Sequence, residues 1–253
     1  MMTIGGTAHI SMLIASLVLS LFLFWFVAKS KEKVQYIIIT IVGLIAVVGI
    51  FFLHGTHYFT KLDFYNLGKQ MFQVCNFNFL LIPLALFQKN ELARQYLFYF
   101  SMPAALSSFV TYPSDVENST WNSVIALTFW INHLCIALTP ILILAAKKFK
   151  PNVSYIPKVL LCILLYFGAA FFVNFALNGW QIDGSNNLSY TMNSGSIMIL
   201  QPLYRLISIP YVYLLPLVPV ITFIYYLVAW GFKKYNLVGS FGYTLKKKKR
   251  TED

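Results

Sequence analysis

Charge is scarce in this chain, and acidic charge scarcest: 8 Asp and Glu stand against 19 Lys and Arg in 253 residues, so only 11% of positions are charged. A soluble domain carries about a quarter charged residues because its surface must be solvated. The shortage excludes an ordinary water-soluble fold. Cysteine is sparse too. Cys75, Cys135 and Cys162 all fall in hydrophobic segments, with neither an even extracellular set nor metal-type spacing, which argues against a disulfide framework and against a thiolate metal site. Internal repeats, GxGxxG and Walker loops, and low-complexity stretches before the C-terminal tail are also missing, so nothing points to a nucleotide or to a repeat architecture.

What is present is hydrophobicity, with 58% apolar residues and a mean hydropathy of +0.69. An all-α, polytopic membrane bundle follows, because lipid removes the need for surface charge and penalises it. Runs long enough to cross a ~30 Å hydrocarbon core occur at 9–28, 34–53, 69–87, 95–112, 121–146, 156–177 and 206–230. These seven spans form one integral membrane domain over 1–253, ending in a basic tail at 233–253. The first run lacks a basic leader segment and continues into Lys29, Lys31 and Lys33, so it reads as a retained helix rather than a cleaved signal.

The net charge of +11 raises the question of nucleic acid, and the placement of the basic residues answers it. They lie between the apolar runs and not along one, so no nucleic-acid partner is expected. Lys29, Lys31, Lys33, Lys89, Arg94, Lys147, Lys148, Lys150, Lys158, Lys233, Lys234, Lys246 to Lys249 and Arg250 fall on one side of a seven-span arrangement, leaving Lys61, Lys69 and Arg205 for the other. The positive-inside bias puts the amino end outside and the tail in the cytoplasm. There the tail would meet anionic lipid headgroups at about 1 kcal/mol per basic residue; a plain topology signal reads equally well. The expected location is the cell membrane.

Polar side chains inside such runs face the bundle interior, and a cluster at one depth is a candidate site. Cys75 and His133 lie about 18 and 20 Å from the same-side ends of their spans, taking ~1.5 Å per helical residue. A thiol and an imidazole at one level can carry out nucleophilic acyl transfer, the histidine removing the thiol proton and returning it to the leaving alcohol. Asn78 lies one turn from Cys75, Asn132 adjoins His133, and Asn174 sits in the sixth span. Such amides suit an oxyanion or substrate contact, or equally the hydrogen bonds that join membrane helices. His9, His54 and His57 lack a carboxylate or thiolate to complete a ligand set, so no metal is expected. Cys135 and Cys162 read as packing residues.

Four segments carry a family resemblance: Cys75 to Phe87 (CNFNFLLIPLALF), Tyr99 to Leu106 (YFSMPAAL), Pro113, and Phe129 to His133 (FWINH). Together they resemble the YwaF-like bacterial membrane proteins related to transmembrane protein 164. The resemblance covers about residues 65 to 180 best. It implies an integral membrane acyltransferase that takes a fatty acyl chain from a phospholipid through a cysteine thioester to a lysophospholipid, without coenzyme A or any soluble cofactor. Cys75 matches the nucleophile and His133 the general base. Bacterial members often place His two positions before the cysteine; Gln73 stands there in this chain. Hydrolysis by the same pair, a small-solute transporter and a seven-helix receptor are the competing readings, the transporter weakened by the lack of repeats and of carboxylates within the spans.

Overall fold

The computed structural model describes residues 4–60, 72–110, 119–180, 187–195 and 200–234, those at 51–60 by backbone alone. Lys61, Lys69, Pro113 and the tail beyond Lys234 lie outside these residues, as do the side chains of His54 and His57. Every regular element described is helical. The long helices are α1 (Thr7–Lys29), α2 (Glu32–Thr60), α6 (Val124–Ala145), α7 (Ile156–Leu177) and α9 (Leu217–Lys234). Shorter ones are α3 (Asn78–Leu86), α4 (Glu91–Tyr96), α5 (Met102–Ser107) and α8 (Gln201–Leu206). The chain is a multi-pass membrane protein: among the described residues five segments are long and apolar enough to cross a bilayer, at Thr7–Lys29, Glu32–Ile50, Val124–Ala145, Val153–Leu177 and Val212–Lys234.

The sixth expected span, 156–177, coincides with α7, and the first, second and fifth agree with α1, α2 and α6 within a few residues at most ends. The seventh begins later than expected. Pro210 and Pro216 interrupt the backbone hydrogen-bonding ladder, so α8 stops at Leu206 and α9 starts at Leu217. The third and fourth expected spans fall on short helices. Residues 72–77 form turns, and regular helix starts only at Asn78. In the fourth, α4 passes into a wider turn of π-helical hydrogen bonding at Leu97–Ser101 and then into α5. Pro103 explains the change, because its missing N–H removes the bond that would continue the α-helix.

The interior is organised around α2 and α6, the most extensive helix pair. Gly43 of α2 allows α3 to approach, since a Cβ there would lie 2.5 Å from Leu86 Cδ1 and 3.0 Å from Ile82 Cγ2. One end of the α2–α6 pair is closed by an ion pair between Glu32 and Lys148. Beside it, the buried Arg94 donates from Nε to the Ala85 carbonyl at 3.0 Å and from Nη1 to the Lys148 carbonyl at 2.8 Å. Gln95 adds a bond to the Lys150 carbonyl at 2.9 Å. These side chains tie α4 to the end of α3 and to the segment after α6, satisfying carbonyls that helix ends leave open.

Arg94→Met keeps much of the packing volume but removes both charge-assisted bonds. It is expected to lower stability by about 3 kcal/mol, read as a fall in the thermal midpoint of the purified protein in detergent.

Candidate functional site

Cys75 lies on the turn that leads into α3. Asn76 and Phe77 donate their backbone N–H groups to the Gln73 carbonyl at 3.0 and 3.1 Å, and Asn78 Nδ2 donates to the Cys75 carbonyl at 2.9 Å. Asn78 is thereby held at 1% exposure, and its Oδ1 has no partner. The half-buried thiol meets Ser108, with Sγ 3.8 Å from the hydroxyl oxygen. Ser108 itself donates to the Ala104 carbonyl at 3.3 Å. Because a carbonyl can only accept, the serine hydrogen is committed there and its oxygen faces the thiol as acceptor.

A second segment is docked onto this turn. The Phe72 carbonyl accepts from Tyr166 Oη at 2.6 Å and from Ser189 Oγ at 2.7 Å. Gln73 Oε1 accepts the Ser189 backbone N–H at 3.2 Å. Asn174, fully buried on α7, holds the same segment from behind: Nδ2 donates to the Leu188 carbonyl at 2.9 Å and to Thr191 Oγ1 at 2.8 Å, while Oδ1 accepts the Leu188 N–H at 2.8 Å. Tyr213 donates to the carbonyls of Tyr190 and Asn193. Ser189 and Tyr190 have φ of 54° and 58°, left-handed values costly for residues with a Cβ. The bonds from Tyr166, Gln73 and Asn174 hold them there. Burial, with the neighbouring Cys75 adding to it, pushes the Tyr190 phenol above its ordinary range.

His133 is 5% exposed on α6. Its Nδ1 is 2.8 Å from the Phe129 carbonyl, which assigns the proton to Nδ1 and leaves the Nε2 lone pair as the basic position. The Phe129 ring lies against the imidazole, with centroids 4.2 Å apart. α5, which leads into Ser108, packs along α6, so Cys75, Ser108 and His133 sit on adjoining elements. Among the described residues no hydrogen bond joins Cys75 to His133; within bonding distance the sulfur meets Ser108. Asn132, at 1% exposure, turns toward α2 with neither amide atom bonded.

The expected site residues thus divide. Gln73 and Cys75 share one turn with Asn78, and Asn174 is joined to that turn through the segment at 187–195. His133 and Asn132 look outward from α6 in different directions. His9 is occupied structurally, accepting from the Gly5 N–H at 2.9 Å on Nδ1 and bonding the Phe109 carbonyl at 2.9 Å through Nε2. Among the described residues no group of three His, Cys, Asp or Glu gathers to hold a metal ion. Ser108, Tyr166 and Ser189 were not foreseen as part of the site. Ser108 appears in sequence only as a polar interruption of an apolar run, and Tyr166 as one aromatic among many.

Comparison with known proteins places residues 4–230 within the range of the TMEM164 family. No curated protein and no solved structure matches the chain.

Asn174→Leu removes three hydrogen bonds that hold the segment over Cys75. The backbone amides of 188–193 are expected to exchange with deuterium about a hundredfold faster, corresponding to about 3 kcal/mol of local stability, while α2 and α6 exchange unchanged.

Proposed function

The chain belongs to the TMEM164 family, and from that premise we propose that it is a lipid acyltransferase of the YwaF-like bacterial kind. It moves a fatty acyl chain from a membrane phospholipid to a lysophospholipid. The reading has seven membrane passages in a single domain in the cell membrane, the amino end outside, and the basic tail against anionic headgroups of the cytoplasmic leaflet. The observation that carries the chemistry is the His133 tautomer: with Nδ1–H committed to the Phe129 carbonyl, Nε2 is left as a proton acceptor in the interior.

In the first half-reaction the Cys75 thiol turns from Ser108 toward His133 and gives its proton to Nε2. The sulfur attacks the lipid ester carbonyl, the bond to the glycerol oxygen breaks, and that oxygen takes the proton from Nε2 as the lysolipid leaves. In the second half-reaction an acceptor hydroxyl attacks the thioester, its proton passing through Nε2 to the departing sulfur. Resting geometry is often looser than the reacting arrangement, and the proposed chemistry requires the thiol to leave Ser108 and come within hydrogen-bonding distance of Nε2. Among the amides, Asn78 is anchored to the Cys75 carbonyl and is the proposed oxyanion contact. Gln73 and Asn174 serve by placing the covering segment.

The protein reconstituted in vesicles with isotope-labelled phospholipid donor and lysophospholipid acceptor is expected to exchange acyl chains. Cys75→Ala and His133→Ala should each lower the rate at least about a hundredfold, followed by mass spectrometry. Equal exchange by all three proteins overturns the assignment. Release of free fatty acid that added lysolipid does not suppress makes water the acceptor, and the protein a hydrolase.

A further inference from the structure

The pairing of α2 with α6 leaves an apolar cleft of about 430 Å³ open to the surrounding lipid. Leu44, Ile45 and Val48 of α2 and Ile131 of α6 form its walls, all of them exposed. Its one strongly buried polar group is Asn132. This side chain is 1% exposed, and both Nδ2 and Oδ1 lack a hydrogen-bond partner. Gly49 lies directly opposite: a Cβ there would stand 3.0 Å from Asn132 Oδ1 and 3.3 Å from its Cβ. The glycine therefore lets the amide lie flat against α2 at the head of the cleft. Thr128, one turn away on α6, also lines that end.

An amide left with a free donor and a free acceptor in a dry setting is an anomaly for a native structure. Neighbouring hydrocarbon chains satisfy neither atom. An ester offers only acceptors, so Oδ1 would remain without a donor. A single hydroxyl donates and accepts through one oxygen and cannot lie in line with both amide atoms. A neutral carboxylic acid matches on both counts, its carbonyl accepting from Nδ2 while its O–H donates to Oδ1. The acid is neutral because a carboxylate buried in hydrocarbon is strongly disfavoured. From Gly49 to Ile41 the apolar wall continues for eight residues toward the Glu32 end, about 12 Å at ~1.5 Å per residue. Such a channel suits one alkyl chain following its head.

We propose that the cleft between α2 and α6 binds a protonated long-chain fatty acid, with the carboxyl paired to Asn132 and the tail lying along Ile45 and Ile41. The site does not include Cys75, and its occupancy is independent of whether the protein transfers acyl groups.

The test uses the full chain in nanodiscs of phosphatidylcholine and a palmitic acid carrying a photoactivatable diazirine in its tail, with labelled peptides mapped by mass spectrometry. Labelling is expected to concentrate on α2 between Ile41 and Val48 and on Ile131 of α6. Unlabelled palmitic acid should compete at least about tenfold better than its methyl ester, the ratio expected when one hydrogen bond of the pair is lost. Asn132→Leu should lower the labelling by a similar factor or more. Leu44→Trp, made at a lipid-exposed position, should block the cleft while leaving the thermal midpoint unchanged, so the site can be probed even if the Asn132 variant does not fold. Labelling spread evenly over all lipid-facing helices, or competition by the ester equal to that by the acid, overturns the proposal.

Discussion

A polar group in hydrocarbon has no water to turn to, and the polar side chains of this protein are arranged by that constraint. Asn174 and Asn132 show its two outcomes. Both are buried amides on apolar helices. Asn174 has both amide atoms engaged by Leu188 and Thr191, and so becomes the rivet for an irregular segment that would otherwise expose backbone groups. Asn132 has none of it filled, and so is a position where something other than protein can be held. Identical chemistry serves cohesion in one place and leaves a vacancy for recognition in the other.

The turn bearing Cys75 meets the same demand that buried backbone makes anywhere. Non-helical backbone shut away from water needs partners supplied by other protein. The Phe72 carbonyl accepts two hydroxyls, the Gln73 side chain accepts a backbone N–H, and the Cys75 carbonyl accepts an amide. The covering segment and the cysteine turn thus complete each other: neither has its polar groups satisfied without its counterpart. A relative carrying histidine in place of Gln73 would meet the Ser189 N–H with a ring nitrogen, a bond that depends on protonation, whereas the glutamine oxygen accepts at any pH.

Much of the helical scaffold is legible in composition and run length. The 156–177 run is bounded by the features that bound α7, because a long apolar stretch needs only local hydrogen bonds to form a helix. The candidate site is legible in part. Residue type and spacing draw attention to Cys75, His133 and the four amides, yet a level counted along 69–87 holds only for one continuous helix. Residues 72–77 are turns, which advance differently from a helix, so level alone could not show which side chain meets the sulfur. That neighbour, Ser108, is 33 residues away in sequence, beyond α3, α4, the wide turn at Leu97–Ser101 and α5. Contacts of this kind depend on how helices rotate against one another, and no local pattern encodes that rotation.

The wide turn at Leu97–Ser101 sets one such rotation. A π turn carries one residue more than an α turn, so each residue after it is shifted by about 100° around the axis relative to an unbroken α-helix. Ser108 presents its oxygen to the sulfur under that offset. Loss of a single residue between Leu97 and Ser101 would close the wide turn into ordinary α-helix and leave the hydroxyl on the same face, because the turn absorbs the step of about 100° that its extra residue would add. In this stretch a gap of one is therefore neutral for the site, whereas a return to α-helical bonding at unchanged length would swing Ser108 away from the sulfur.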